Sequence, residues 1–425
     1  MTVTSGQSTD RLIYRDGIEP MEQVTVKPDQ RDEELDRKIM IHTIHGGDVI
    51  PPRFRDALSR HYPDDDVDRR LLKRYDEEKD WGANQLAHQL AEKLGLGGYW
   101  RINTARVLLD FGRFPGTTRA KAGHLDRFAI NYPFSSALDF AEKKELLEQQ
   151  YDVISSRYEA ANEGKTIKLA VHTYDPYNPS FARGERGTPR PELSLIHRSA
   201  SYARDMRMPY GIFDPIFPDR LAECTADRKL TARISLHLEK NGLSVSLNHP
   251  YYLPDGSLEI RSQVWFFFKY LRRIYEQAHP AAGGNPAHEM VWRMLQDTNL
   301  RRSDSESLRS YIHLFRKAPP GDKEALYREA RQDYERISDF FDEYREEIIR
   351  NFQKSDLHIN SLILEVRKDL LWWFRDSEGK QPVYGAEGIR WDNICRIAET
   401  IAQAIKIYFR KDLSSQPGWT LGGFS

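Results

Sequence analysis

Residues 41–52 read Ile41-His42-Thr43-Ile44-His45-Gly46-Gly47-Asp48-Val49-Ile50-Pro51-Pro52, an apolar run that delivers a histidine into two glycines and then a double proline. The apolar residues predict a strand, and the prolines forbid its continuation. Two glycines let the backbone turn sharply or leave room beside the imidazole, and they are read here as room for a substrate. His45 therefore stands where a sheet hands over to a loop, the edge at which open α/β sheets keep their ligands. A histidine after a strand is more commonly a hydrogen-bonded structural residue, so the reading turns on whether other residues answer it.

The 425 residues suffice for one large domain with an insertion, or for two or three ordinary domains. Hydrophobic residues make up 39% and charged residues 30%, the balance of a globular protein with a heavily charged surface. Lys+Arg 63 against Asp+Glu 64 leaves a net charge of −1, so no global field favours nucleic acid or an anionic membrane as partner. Cys224 and Cys395 lie far apart and form no CxxC pair, which points away from a disulfide framework and a thiolate zinc site and toward a cytoplasmic protein. The opening stretch has no apolar core of a secretory signal, and nowhere is there an apolar run long enough to span a membrane.

Strand patterns at 38–44, 97–110, 165–172, 193–197, 243–247 and 358–365 alternate with helical periodicity at 53–60, 67–76, 83–94, 138–161, 218–241 and 391–409. That alternation predicts an α/β domain around a mixed, largely parallel sheet. Residues 1–36 mix charge with Ser, Thr, Gly and Pro and read as a flexible arm. The core then spans 37–261 and resumes at 355–425. Between them, 262–354 is charged, amphipathic helical sequence and reads as an insertion, a lid or a dimerisation surface.

Four residues share one property: an apolar strand or a helix start carries His45, Asp80, His172 and Glu365 to probable edges of one sheet. Two imidazoles and a carboxylate are the usual ligand set of a catalytic zinc, with a fourth position left for water, and the remaining carboxylate can take the water's proton. Asp80 is equally placed to cap the helix that follows it, and His45-x-x-Asp48 is a competing chelate.

These segments carry a resemblance. His45-Gly46-Gly47 with Ile50-Pro51 resembles the Pro-His-Ser-Gly…Pro element of the N-formylglutamate amidohydrolase family. Asp80-Trp81 is similar to its Asp-Trp segment, and Asp110-Phe111-Gly112-Arg113 to its Asp-x-Asn-Arg strand end. Val171-His172-Thr173 resembles its Cys-His-Ser, Asn248-His249-Pro250-Tyr251 its Asn-x-Pro-Tyr, and Ile363-Leu364-Glu365-Val366-Arg367 its late Ile-Glu-x-Arg element. The matches follow the family's order and cover most of the chain outside the insertion. The resemblance implies a three-layer α/β/α sandwich of zinc-peptidase type and a metal-dependent amide hydrolase. It places zinc on His45, Asp80 and His172, with Glu78 or Asp48 as substitutes for Asp80, and makes Glu365 the general base. Departures lie around the substrate pocket: Gly46 stands where the family has Ser, Thr43-Ile44 precedes His45 where proline is expected, and Gly112 stands for Asn. Fold and metal are thus expected to carry over better than formylglutamate itself.

An amino-acid-like substrate brings a carboxylate, which a bidentate arginine suits, and Arg113, Arg198 and Arg261 are the candidates. Asn248 and Tyr251 are candidate donors to an oxyanion. The expectation is a cytoplasmic zinc hydrolase of a formamide or N-acyl amide bond in a small N-acyl or N-formyl amino-acid-like compound. It needs no nucleic acid or membrane, and self-association through the insertion is possible. The alternatives are a deacylase or peptidase acting on a larger conjugate, and a silent relative whose helices bind a protein.

Overall fold

In the computed structural model the described residues are 11–62, 66–115, 129–179, 187–199, 214–254, 256–299, 302–314, 316–318, 321 and 323–413. Seven strands form one mixed sheet: β1 Met21–Thr25, β2 Ile39–Thr43, β3 Gly98–Ile102, β4 Ile167–Tyr174, β5 Leu193–Ile196, β6 Val245–Leu247 and β7 Asn360–Arg367. Their order is β1-β3-β2-β4-β7-β5-β6. The four central strands β3, β2, β4 and β7 run parallel, β1 and β5 join them antiparallel, and β6 is parallel to β5.

Side-chain alternation along the strands sorts the sheet into two faces. Leu169 and Val171 of β4 and Leu362, Leu364 and Val366 of β7 share one buried cluster with the helices Ala83–Leu94, Arg228–Lys240 and Trp391–Tyr408. The intervening residues, Ala170 of β4, Ile196 of β5 and Ile363 of β7, face the other way, into a cluster with the helix Leu258–Ala278 and the helices that follow it. Met40 and Ile102 on that same side pack with the helix Asp152–Asn162. Helices on both faces of a mixed sheet make the three-layer α/β/α sandwich expected.

Three boundaries differ from expectation. The arm expected over residues 1–36 holds structure from β1 onward, because β1 pairs with β3 and buries Met21, while the helix Glu33–Lys38 is capped by Asp32; residues 1–10 lie outside the described residues. The strand expected at 97–110 stops at Ile102, because the Asn103 carbonyl turns to accept from the amides of Asp48 and Val49 at 2.9 and 2.8 Å. The first helix of the segment expected as an insertion from 262 begins at Leu258 and packs as a layer on the sheet.

That pairing of loops explains the two glycines. A Cβ on Gly47 would stand 2.5 Å from the carbonyl oxygens of Asn103 and Thr104, and one on Gly46 would stand 2.8 Å from the amide end of Asn84. Asn84 uses that space to accept from Thr43 Oγ1 at 2.7 Å and to donate to the Gly46 carbonyl at 2.9 Å. The glycines make room for the protein's own backbone and for Asn84, so the reading of them as substrate space is corrected. Gly47→Ala is expected to destabilise the fold by on the order of 2–3 kcal/mol through forced separation of these loops, measured by denaturant unfolding. An unchanged midpoint would show that the contact relaxes freely.

Candidate active site

His45 lies two residues beyond β2, and its carbonyl accepts from the Asp80 amide at 3.2 Å, which stitches the loop before the helix Ala83–Leu94 to the strand end. Trp81, fully buried, anchors that loop through Nε1 to the Asp76 carbonyl at 2.9 Å. The helix is capped by Gly82 in the left-handed region (φ 86°), with no side-chain cap. Asp80 is therefore free of capping duty, and its Oδ2 lies 3.1 Å from His172 Nδ1 and 3.6 Å from His45 Nδ1. His172 sits on β4 directly beside Glu365 on β7, because the parallel register pairs them and both point to the same face.

One ligand atom from each of His45, Asp80 and His172 lies within 4.8 Å of the others, and all three residues are buried. A tetrahedral ion bound at about 2.0–2.1 Å would hold its ligand atoms roughly 3.3 Å apart, so this group needs little movement to close around one. The outer ring nitrogens add a second observation. His45 Nε2 meets Asp110 Oδ1 at 3.1 Å, and His172 Nε2 faces Glu259 Oε1 at 3.6 Å, neither of those last two atoms having a hydrogen-bond partner among the described residues. Carboxylates behind the imidazoles fix the tautomer that leaves each Nδ1 lone pair for a metal. These residues could hold a metal ion.

The electrostatics agree. Burial alone would raise Asp80, yet hydrogen bonding to His172 and His45 holds it well below the carboxylate range. Burial likewise works against Glu259, but His172 brings it down to about 2. His172, which burial would lower, is pushed up to about 10 by Asp80 and Glu259. Arg106 reaches Asp80 Oδ1 at 3.6 Å and Asp110 Oδ2 at 3.5 Å, and Asp110 sits well below its ordinary value because, against burial, Arg106, His45 and Arg113 together favour its charged form. Asp80, Asp110, Glu259 and Glu365 thus face Arg106, Arg113 and the imidazole of His172 across the cleft.

Glu365 stands apart in behaviour. Burial pushes its pKa up against the pull of His172, and the charge of Asp80 adds to the rise. Its Oε1 accepts from Tyr251 Oη at 2.5 Å, while Oε2 is buried without a hydrogen-bond partner among the described residues. Thr173 Oγ1, also buried, has none either. These groups line a cleft of about 330 Å³ that also takes in Arg113, Ile196, Leu253 and Ile363.

No known family model matches the sequence, and no curated protein matches it either. Solved structures do resemble its fold. One is the N-formylglutamate amidohydrolase from Ralstonia eutropha JMP134, 13% identical, covering 93% of this chain and 99% of that one at a TM-score of 0.45. Another is a gene product from Agrobacterium tumefaciens, 14% identical, covering 87% and 90% at a TM-score of 0.36.

The cleft thus collects His45, Asp80, His172, Glu365, Tyr251 and Arg113 from among the expected residues. Others are placed elsewhere, each held by a different partner. Asp48 accepts from Lys79 Nζ and Tyr75 Oη, both at 2.6 Å, and so serves as counter-charge to a buried lysine. Glu78 pairs with Arg74 one helical turn back at 2.6 Å. Asn248, at φ 52°, turns its Oδ1 to the amides of His197 and Arg198 at 2.9 and 3.0 Å, which makes it a loop brace. Arg198 extends toward Glu223 at 3.5 Å, outside the cleft lining. Arg261 is buried and donates to the Gly256 carbonyl at 3.0 Å, to Tyr151 Oη at 2.7 Å and to Asn299.

Asp110, Glu259 and Arg106 entered the site without being assigned a role in it from sequence. Asp110 lay inside a quoted motif, Asp110-Phe111-Gly112-Arg113, so its signal was present. Glu259 is the second residue of a long helix that reads by its apolar periodicity alone.

Proposed function

We propose that the protein is a zinc-dependent hydrolase that cleaves the amide bond of a small N-acyl or N-formyl amino-acid-like compound. The observation that carries this reading is the convergence of His45, Asp80 and His172 with a Glu365 whose buried Oε2 is unpartnered. In this reading His45 Nδ1, the Asp80 carboxylate and His172 Nδ1 hold the ion. A divalent ion there supplies Lewis acidity, polarising the acyl oxygen and lowering the pKa of water into the neutral range.

The remaining work falls to the chain. Glu365 Oε2 accepts the proton of the attacking water and passes it to the departing nitrogen, while Tyr251 holds Oε1 and so fixes which oxygen is free. A raised pKa suits that shuttle, since the group must both take and give the proton. Arg113, with its side chain 55% exposed and its Nε 3.2 Å from Asp110 Oδ2, keeps a guanidinium at the rim for the substrate carboxylate. Asp110 and Glu259 hold the imidazole rings in orientation.

Dialysis against a chelator is expected to abolish hydrolysis of N-acyl amino acids, and one molar equivalent of zinc to restore it, followed by release of free amine. Full activity in chelated, metal-free protein would overturn the reading.

A further inference from the structure

Resting on that function, we infer that the amino-acid half of the substrate carries an apolar side chain and a single carboxylate, so that N-formylglutamate is a poor substrate. The sheet orders the cleft. His45 and His172 lie at β2 and β4, Glu365 at β7, and beyond it the register sets Ile196 of β5 opposite Ile363 of β7. Ile363 precedes Glu365 by two residues, so the two side chains share a face one pleat apart. Glu365 delivers its proton to the departing nitrogen, and the amine half must therefore lie on its side of the scissile bond. On that side Ser194 of β5 stands directly opposite Glu365 with its hydroxyl engaged by Ser246, and the cleft lining next to this pair is the hydrocarbon of Ile196 and Ile363.

The wall continues through the loop that carries Tyr251. Leu253 bridges to Ser199 past the end of β5, its amide donating to the Arg198 carbonyl at 2.8 Å, and both Leu253 and Pro254 line the cleft. Among the described residues no cation accompanies Ile196, Ile363, Leu253 and Pro254 on this wall. Among the described residues the cleft's guanidiniums belong to Arg106, which spans Asp80 and Asp110, and to Arg113 at the rim. Arg113 is close to this wall, because the Phe111 carbonyl accepts from the Leu258 amide at 3.1 Å and so joins the two loops. One α-carboxylate can thus meet Arg113 while the side chain enters the hollow. A second carboxylate in that hollow would be desolvated against isoleucine and leucine and repelled by Glu365.

The test compares zinc-loaded enzyme on N-formyl-L-leucine and N-formyl-L-glutamate, with calorimetric binding of the free products L-leucine and L-glutamate. The expected kcat/KM ratio favours leucine by on the order of a hundredfold, and the products rank the same way. Ile363→Ala should cut that ratio roughly tenfold, as should Leu253→Ala, which sits in a loop and spares the sheet if the first variant folds badly. Zinc-dependent turnover that favours N-formyl-L-glutamate would overturn this inference and leave the amidohydrolase reading standing. If neither compound is hydrolysed by the zinc-loaded protein and neither product binds, the amidohydrolase reading and the inference that rests on it fall together.

Discussion

Glu365→Gln is expected to leave zinc bound and to lower the hydrolysis of N-acyl amino acids by roughly 10²–10⁴-fold, the range assigned to a positioned general base. The substitution is nearly isosteric. Glutamine keeps an oxygen to accept from Tyr251, and the buried carboxylate that burial and Asp80 disfavour is replaced by a neutral group. Unfolding should therefore show no loss of stability, so that the kinetic effect reports chemistry alone. Metal content by atomic spectroscopy and kcat/KM on one substrate suffice for the check. A variant retaining more than a tenth of the wild-type rate would mean that another group takes the proton.

His172→Ala has an equally large expected effect on a different observable, the retention of the ion itself. The imidazole touches Asp80 with one nitrogen and faces Glu259 with the other, so alanine removes a ligand and strands two buried carboxylates. Breaking a buried pair in this way costs roughly 3–5 kcal/mol. Zinc is expected to be lost on dialysis, whereas Glu259→Gln, which keeps the ring and weakens only its orientation, should lower zinc affinity about 10–100-fold. Equal zinc content in all three proteins would remove His172 from the ligand set. A graded series would separate the residue that binds from the one that positions.

The contrast between these two residues marks what can be read from consecutive positions. His172 and Glu365 each lie two residues short of the end of their strand, and period-two alternation along β4 and β7 already predicts that Leu169 and Leu364 point one way while His172 and Glu365 point the other. Glu259 gives no such signal. It is buried next to apolar neighbours at a helix start, and its relevance depends on that helix lying across the sheet under His172. Arg261 and Asn248 show the converse: residue types suited to a substrate, spent instead on Tyr151, Gly256 and two backbone amides that nothing nearby in sequence foretells. Among the described residues, no helix is long and apolar enough to cross a membrane.

By itself the sequence determined the alternation of strands and helices, the exit of β2 into His45-Gly46-Gly47, and the placement of histidine and carboxylate at strand ends. All of these follow from local periodicity and from what glycine and proline do to a backbone. Tertiary structure decided which of those groups meet. The pairing of β4 with β7 set His172 beside Glu365, and the loop closed by Trp81 swung Asp80 away from capping and onto two imidazoles. The helix Leu258–Ala278 brought Glu259 up behind one of them, and Asn84 and the loop at 103–104 claimed the space beside the two glycines. The physical reason is burial: a charge withdrawn from water must find its partner wherever the packed chain offers one, and here those partners lie tens to hundreds of residues away.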